Sequence, residues 1–145
     1  MILFSSDLES TVIKRNIMTK LVIDAANEKI FLTIIINNNS YSVTHDNSKI
    51  NYEMLTILIN NFLNSKNVTL KDIKKIYVNR GPGSFAGIRN SLSTVKAFNL
   101  SKQIDYYCYS YVDFKDEKEF KHSNIPGLCD KFNIKKNLIK PIYIS

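Results

Sequence analysis

An α/β domain with the element order β-β-β-α-β-α-β is what the sequence predicts, and three observations predict it. Residues 20 to 44 hold three short runs of β-forming residues separated by asparagine-rich turns. Residues 51 to 64 carry apolar side chains at helical spacing. A glycine-proline turn at Arg80-Gly81-Pro82-Gly83 then separates a further strand from a second helix. Strands and helices that alternate in this way make a sheet with helices packed on it.

Each element has a local reason. Leu21-Val22-Ile23 is a run of β-formers that ends in the polar turn Asp24-Ala25-Ala26-Asn27. Lys29 to Ile36 is rich in Ile, Phe and Thr, and Asn37-Asn38-Asn39 supplies a turn because asparagine tolerates left-handed backbone. Ser40 to Thr44 alternates Tyr41 and Val43 with polar residues, a third strand that completes an antiparallel meander. Asn51 is placed to cap a helix running to about Asn64, with Leu55, Leu58, Ile59 and Phe62 on one face. Val68 to Asp72 connects to a fourth strand, Lys74 to Asn79. The second helix is expected from Ser84 to Ser101, with Phe85, Ile88, Leu92 and Val95 as its core stripe. Asp105 to Tyr111 alternates as a fifth strand.

The flanks are less regular. Residues 1 to 17 show no sustained period and are expected to be an appendage to a fold starting near Met18, or a misassigned start. Asp113 to Lys121 is charged and reads as a loop or short helix, Ile125-Pro126-Gly127 as a turn, and Ile142-Tyr143-Ile144 as a terminal strand.

Composition bounds the function. The chain has 145 residues, 44% of them hydrophobic, enough to build a core. Ile30 to Ile36, the most apolar stretch, is broken by Thr33 and is far too short to cross a bilayer. The opening residues lack the basic flank of a secretory signal. Cys108 and Cys129 match no zinc spacing, and a cytoplasmic location is expected. The net charge of +7 comes mostly from lysines spread along the whole chain, with Arg15, Arg80 and Arg89 as the only arginines. That is a compositional bias rather than a built nucleic-acid surface.

Glycine is concentrated instead. Gly81, Gly83 and Gly87 account for three of the four glycines in the chain. Such a turn before a helix invites a phosphate, because backbone N–H groups there attract anions. The spacing, however, is neither that of a Walker loop nor that of a dinucleotide fingerprint. A tight strand-to-helix turn, with Ser84 capping the helix and Gly87 allowing close packing, explains the residues with fewer demands.

The string Arg80-Gly81-Pro82-Gly83-Ser84-Phe85-Ala86-Gly87-Ile88-Arg89 closely resembles the RGPGSFTGLR signature of the TsaB family, departing at Ala86 where threonine is usual. Supporting segments are Leu21 to Ala26, the helix from Met54 to Leu63, Leu70-Lys71-Asp72-Ile73 and the tail Pro141-Ile142-Tyr143-Ile144. The resemblance implies an actin-like, ribonuclease-H-like first lobe over residues 18 to 111. Residues 112 to 145 would be the reduced remnant of a second lobe. It also implies a non-catalytic partner of TsaD in threonylcarbamoyl modification of the tRNA adenosine beside the anticodon. TsaE would be a further partner, and tRNA would be met through the complex. The protein would need no cofactor of its own, ATP being used by the partner pathway.

The expected interface combines Met54, Ile57, Leu58 and Asn61 on the first helix with Gly87, Ser91, Thr94 and Phe98 on the second. Met54 and Ile57 lie outside the arc needed to cover a sheet, and the small residues would let another helix approach closely; the pattern fits equally packing within the chain or scattered exposed residues, and it is the resemblance that implies a partner, since TsaB proteins pair with TsaD through the corresponding helices. No catalytic or metal set is expected. TsaD holds metal through a helix-borne His-x-x-x-His, whereas the matching Ile50-Asn51-Tyr52-Glu53-Met54 has no histidine. His45 and His122 stand alone in the sequence, Asp24 has no acidic neighbour and reads as a turn former, Cys108 reads as a small core residue, and Cys129 follows a Pro-Gly turn with no base beside it. Three rivals remain open: a degenerate actin-like nucleotide hydrolase using the Gly81 to Gly87 turn, a tRNA-binding module using the lysines of the tail, and a structural protein whose helix face pairs with itself as a homodimer when TsaD is absent.

Overall fold

The computed structural model describes residues 18–115, 117 and 120–143. The expected appendage, residues 1 to 17, lies outside them. The five strands are β1 (Thr19–Asp24), β2 (Lys29–Ile36), β3 (Asn39–Asp46), β4 (Ile73–Asn79) and β5 (Asp105–Tyr109). They form one sheet in the order β3-β2-β1-β4-β5. β1 to β3 pair antiparallel as a meander, while β4 and β5 join parallel to β1. The helices are α1 (Lys49–Glu53), α2 (Leu55–Ser65), α3 (Phe85–Lys102) and α4 (Ile125–Lys131). The five strands and the helices between them follow in the order read from the sequence, with the first helix split into α1 and α2 and with α4 added after β5.

Alternation along the strands splits the core in two. Leu21, Ile23, Ile76 and Val78 point to the face covered by Leu55, Ile59, Leu63, Ile88, Leu92 and Val95 of α2 and α3. Val22, Tyr77 and Tyr109 point to the other face, which is covered by Phe114 and by Ile125 and Cys129 of α4. The residues after β5 therefore serve as the second layer of the sheet.

Several expectations are corrected. The single helix expected from Asn51 is broken at Met54, whose backbone (φ −98°, ψ 14°) leaves the helical range. The cap is Ser48, whose hydroxyl accepts the Asn51 N–H at 3.2 Å, while Asn51 itself donates to the Asp46 carbonyl at 2.7 Å. Phe85 is not in the core stripe of α3: it lies on the outer side of the first turn, 55% exposed, and Phe98 is buried further along. Tyr111 belongs to a 3-10 turn (Tyr111–Asp113) rather than to β5. Ile125-Pro126-Gly127 opens α4, because a proline in the first helical turn sacrifices no needed N–H. Ile142 and Tyr143 form no strand, and Ile144 lies outside the described residues. The tail is tied down instead at separate points: Asn137 N–H donates to the Tyr106 carbonyl at 2.7 Å while its Oδ1 accepts the Tyr106 N–H at 3.0 Å, and Ile142 N–H donates to the Arg80 carbonyl at 2.7 Å.

Candidate functional site

The signature turn is built by close approach of backbone to backbone. Gly81 has φ 108°, a conformation that side chains disfavour, and a Cβ there would strike the Ile142 carbonyl oxygen. A Cβ on Gly83 would strike the Ala26 carbonyl, and one on Gly87 the Ala25 carbonyl and the Tyr52 ring. Ser84 N–H donates to the same Ala26 carbonyl at 2.8 Å. The Ser84 hydroxyl accepts the Gly87 N–H at 3.2 Å and meets the Tyr52 hydroxyl at 3.0 Å. The bare glycine surfaces are thus filled by the chain's own β1–β2 connection, α1 and tail.

Arg80 is equally engaged. Its guanidinium forks onto Asp113, with Nη2 at 2.7 Å from Oδ1 and Nε at 3.3 Å from Oδ2, and Nη1 donates to the Lys140 carbonyl at 3.0 Å. The charge that could have met a phosphate instead locks the 3-10 turn and the tail to the end of β4. Pro82 is exposed, joined to Gly81 by a cis peptide bond.

A second cluster lies beside the turn at the end of β1. The Asp24 carboxylate is 1% exposed, and both of its oxygens are occupied. Asn79 Nδ2 donates to Oδ1 at 3.1 Å and Ala26 N–H at 3.3 Å. The Tyr111 hydroxyl donates to Oδ2 at 3.0 Å, and His122 Nε2 donates to the same oxygen at 2.9 Å. The His122 ring also packs on Phe31, with centroids 4.9 Å apart. Burial alone would push the Asp24 carboxyl up. The bond and charge of His122, with the bonds from Tyr111 and Asn79, outweigh it and hold the carboxyl below its usual range. Burial and the Asp24 charge raise the Tyr111 phenol. Asp24 is therefore held ionised with every direction of approach taken by a donor of the same chain.

Sequence reasoning missed this cluster. His122 was expected to stand alone, yet it closes on Asp24 across 98 positions of chain. Asn79 also links the two features, since its Oδ1 accepts the Gly81 N–H at 2.8 Å. The one usable signal was Asp24 itself, a carboxylate at the end of an apolar strand that had to find donors. Cys108 is a core residue as expected and Cys129 is buried as well, and burial pushes both thiols up to about 12. Among the described residues no three His, Cys, Asp or Glu side chains converge on a point that could hold a metal ion. No described helix is long and apolar enough to cross a membrane.

The expected interface divides. Met54 (40%) and Ile57 (50%) are exposed, joined by the still more exposed Ile50, while Asn61 is exposed and Leu58 and Thr94 are half-buried. Gly87, Ser91 and Phe98 are buried. Gly87 admits another helix closely, but that helix is α1 of the same chain, with the Tyr52 ring against Gly87. These three residues present no surface to a partner. Between α1 and the start of α3 an open cleft of about 480 Å³ remains, lined by Lys49, Tyr52, Glu53, Phe85, Arg89 and Asn90.

The comparisons with known proteins agree with this architecture. Residues 45–113 match the family model described as TsaD: tRNA N6-adenosine threonylcarbamoyltransferase. No curated protein matches the chain. Among solved structures, YeaZ from Pseudomonas aeruginosa superposes with a TM-score of 0.60 at 22% identity, covering 64% of this chain and 44% of that one. A second structure, titled an uncharacterized protein with similarity to peptidase YEAZ from Pseudomonas aeruginosa, gives 0.60 and 22% over 64% and 43%. The chain thus spans less than half the length of these relatives. At this identity the likeness is one of fold, and it bears out the actin-like lobe expected from the sequence. The fold of YeaZ, a TsaB protein, together with the family match across the signature turn, bears out the TsaB resemblance over part of the chain.

Proposed function

We propose that the protein is a non-catalytic partner of TsaD in threonylcarbamoyl modification of tRNA, docking through the outer side of α1 and α2. The observation that carries the proposal is the apolar strip of Ile50, Met54 and Ile57, three exposed side chains of α1, α2 and the break between them that neither core covers. Burying such a strip against a partner helix supplies the free energy of association without any reactive group. Phe85 is exposed across the cleft from α1. The saturation of Asp24 and Arg80 by internal donors and acceptors supports a scaffold over a hydrolase, since neither is left to hold a nucleotide or its metal. In this role TsaE is a further partner, tRNA is met through the complex in the cytoplasm, and ATP is consumed elsewhere in the pathway. Without TsaD the same strip would pair two copies of the chain. Co-purification of the protein with its cognate TsaD tests the proposal. A complex formed by the wild type and lost with Met54→Glu and Ile57→Glu together is expected, and absence of a wild-type complex at micromolar concentration would overturn it.

A further inference from the structure

The tail held by Arg80 and Asn137 runs past the far flank of α3. There Arg89, Leu92, Lys96 and Leu100 of the helix face Ile139 and Tyr143 of the tail across an open groove of about 400 Å³. At 3.6 residues per turn, Gly87, Ser91, Thr94 and Phe98 share one flank of α3, and Arg89, Lys96 and Leu100 fall about half a turn away. The groove thus lies on the opposite flank of α3 from α1 and α2, meeting the α1 cleft at Arg89.

Its chemistry is two-sided. Leu100 is 72% exposed and Ile139 is exposed on the facing tail, so the floor is apolar. Its charged residues are of one sign. α3 carries Arg89, Lys96 and Lys102 and no acidic residue, and residues 131 to 143 carry Lys131, Lys135, Lys136 and Lys140 and none either. Lys131 and Lys136 are paired with Glu117 and Asp105, but among the described residues no carboxylate pairs with Arg89 or Lys96. The stretch from Arg89 to Leu100 is about 16 Å long, the length of three helical turns. An RNA strand would be matched by the cations but not by the aliphatic floor, and the one aromatic ring there, Tyr143, is already against Phe85 at 4.7 Å.

We propose that this groove docks an amphipathic helix of a partner protein, its apolar stripe seated on Leu100 and Ile139 and its acidic flank facing Arg89 and Lys96. Aliphatic burial would supply the affinity, and charge complementarity the orientation and rate of encounter.

The test is a binding titration of the full chain with three labelled probes. These are a short helical peptide of leucine, alanine and glutamate, the same peptide with lysine for glutamate, and a single-stranded RNA oligonucleotide. The acidic peptide is expected to bind, to weaken as salt is added, and to lose about tenfold in affinity with Lys96→Glu. Leu100→Ala is expected to cost it about fivefold. Both side chains are exposed, so thermal stability should be unchanged in these variants, and Met54→Glu should bind the peptide as the wild type does. Equal binding of the acidic and basic peptides, or indifference of the acidic peptide to Lys96→Glu, would overturn the proposal. So would RNA binding that is lost with Lys96→Glu while the acidic peptide fails to bind.

Discussion

Asp24 gathers its donors from four places in the chain: the β1–β2 connection, the end of β4, the 3-10 turn after β5 and the 3-10 turn at His122–Asn124. Removing one of them leaves a buried charge short of a partner, a cost of about 1–3 kcal/mol. His122→Ala is accordingly expected to lower stability by that amount in urea unfolding, and a wild-type midpoint in the variant would contradict the account. The sign of the pH dependence follows from the depressed carboxyl. Asp24 is ionised in the fold at pH values where the unfolded chain, with its carboxyl near 4, already binds a proton. Its contribution is complete above about pH 4 and is lost as the pH falls through the lower folded value. Asp24→Asn should therefore flatten the fall in stability below about pH 4, and an unchanged acid slope would show that the cluster is not coupled to folding.

At the scale of elements, the strands and helices were legible because each obeys one period. Leu21 and Ile23 against Val22, or Ile76 and Val78 against Tyr77, carry the alternation that sorts the two faces. The α2 stripe of Leu55, Ile59 and Phe62 carries the helical one. Phe85 was misplaced because periodicity alone cannot tell the first turn of a helix, which projects past the sheet, from the turns that lie on it. Gly87 was read correctly as a point of close approach and assigned to the wrong helix, since composition does not say whether the close neighbour is internal. Gly87 makes that point measurable. In a free helix alanine is favoured over glycine by about 1 kcal/mol. Here a Cβ meets the Ala25 carbonyl, so Gly87→Ala is expected to destabilise by about 1–3 kcal/mol despite the gain in helix propensity. Thermal unfolding decides it, and a raised midpoint would mean that β1 and α3 are less tightly joined than described.

Across the whole molecule, the segment after β5 does what no local signal announced. Tyr111 and His122 close the end of β1, Phe114, Ile125 and Cys129 cover the second face of the sheet, and the Arg80–Asp113 fork with the Lys140 carbonyl bolts the tail to the signature turn. These are long-range contacts between side chains of unremarkable spacing, and only the fold brings them together. Arg80→Ala should free the tail from the turn, seen as faster hydrogen exchange at Ile142, whose N–H is bonded to the Arg80 carbonyl, with little change in α2. What this packing leaves uncovered on α1 and α2 is the strip of Ile50, Met54 and Ile57. The most direct test of its purpose is a titration of the wild type and of the Met54→Glu, Ile57→Glu double variant with the cognate TsaD. The account requires a complex of micromolar affinity or tighter for the wild type and its loss in a variant that still melts like the wild type. No wild-type complex, or a double variant that binds equally well, would contradict it.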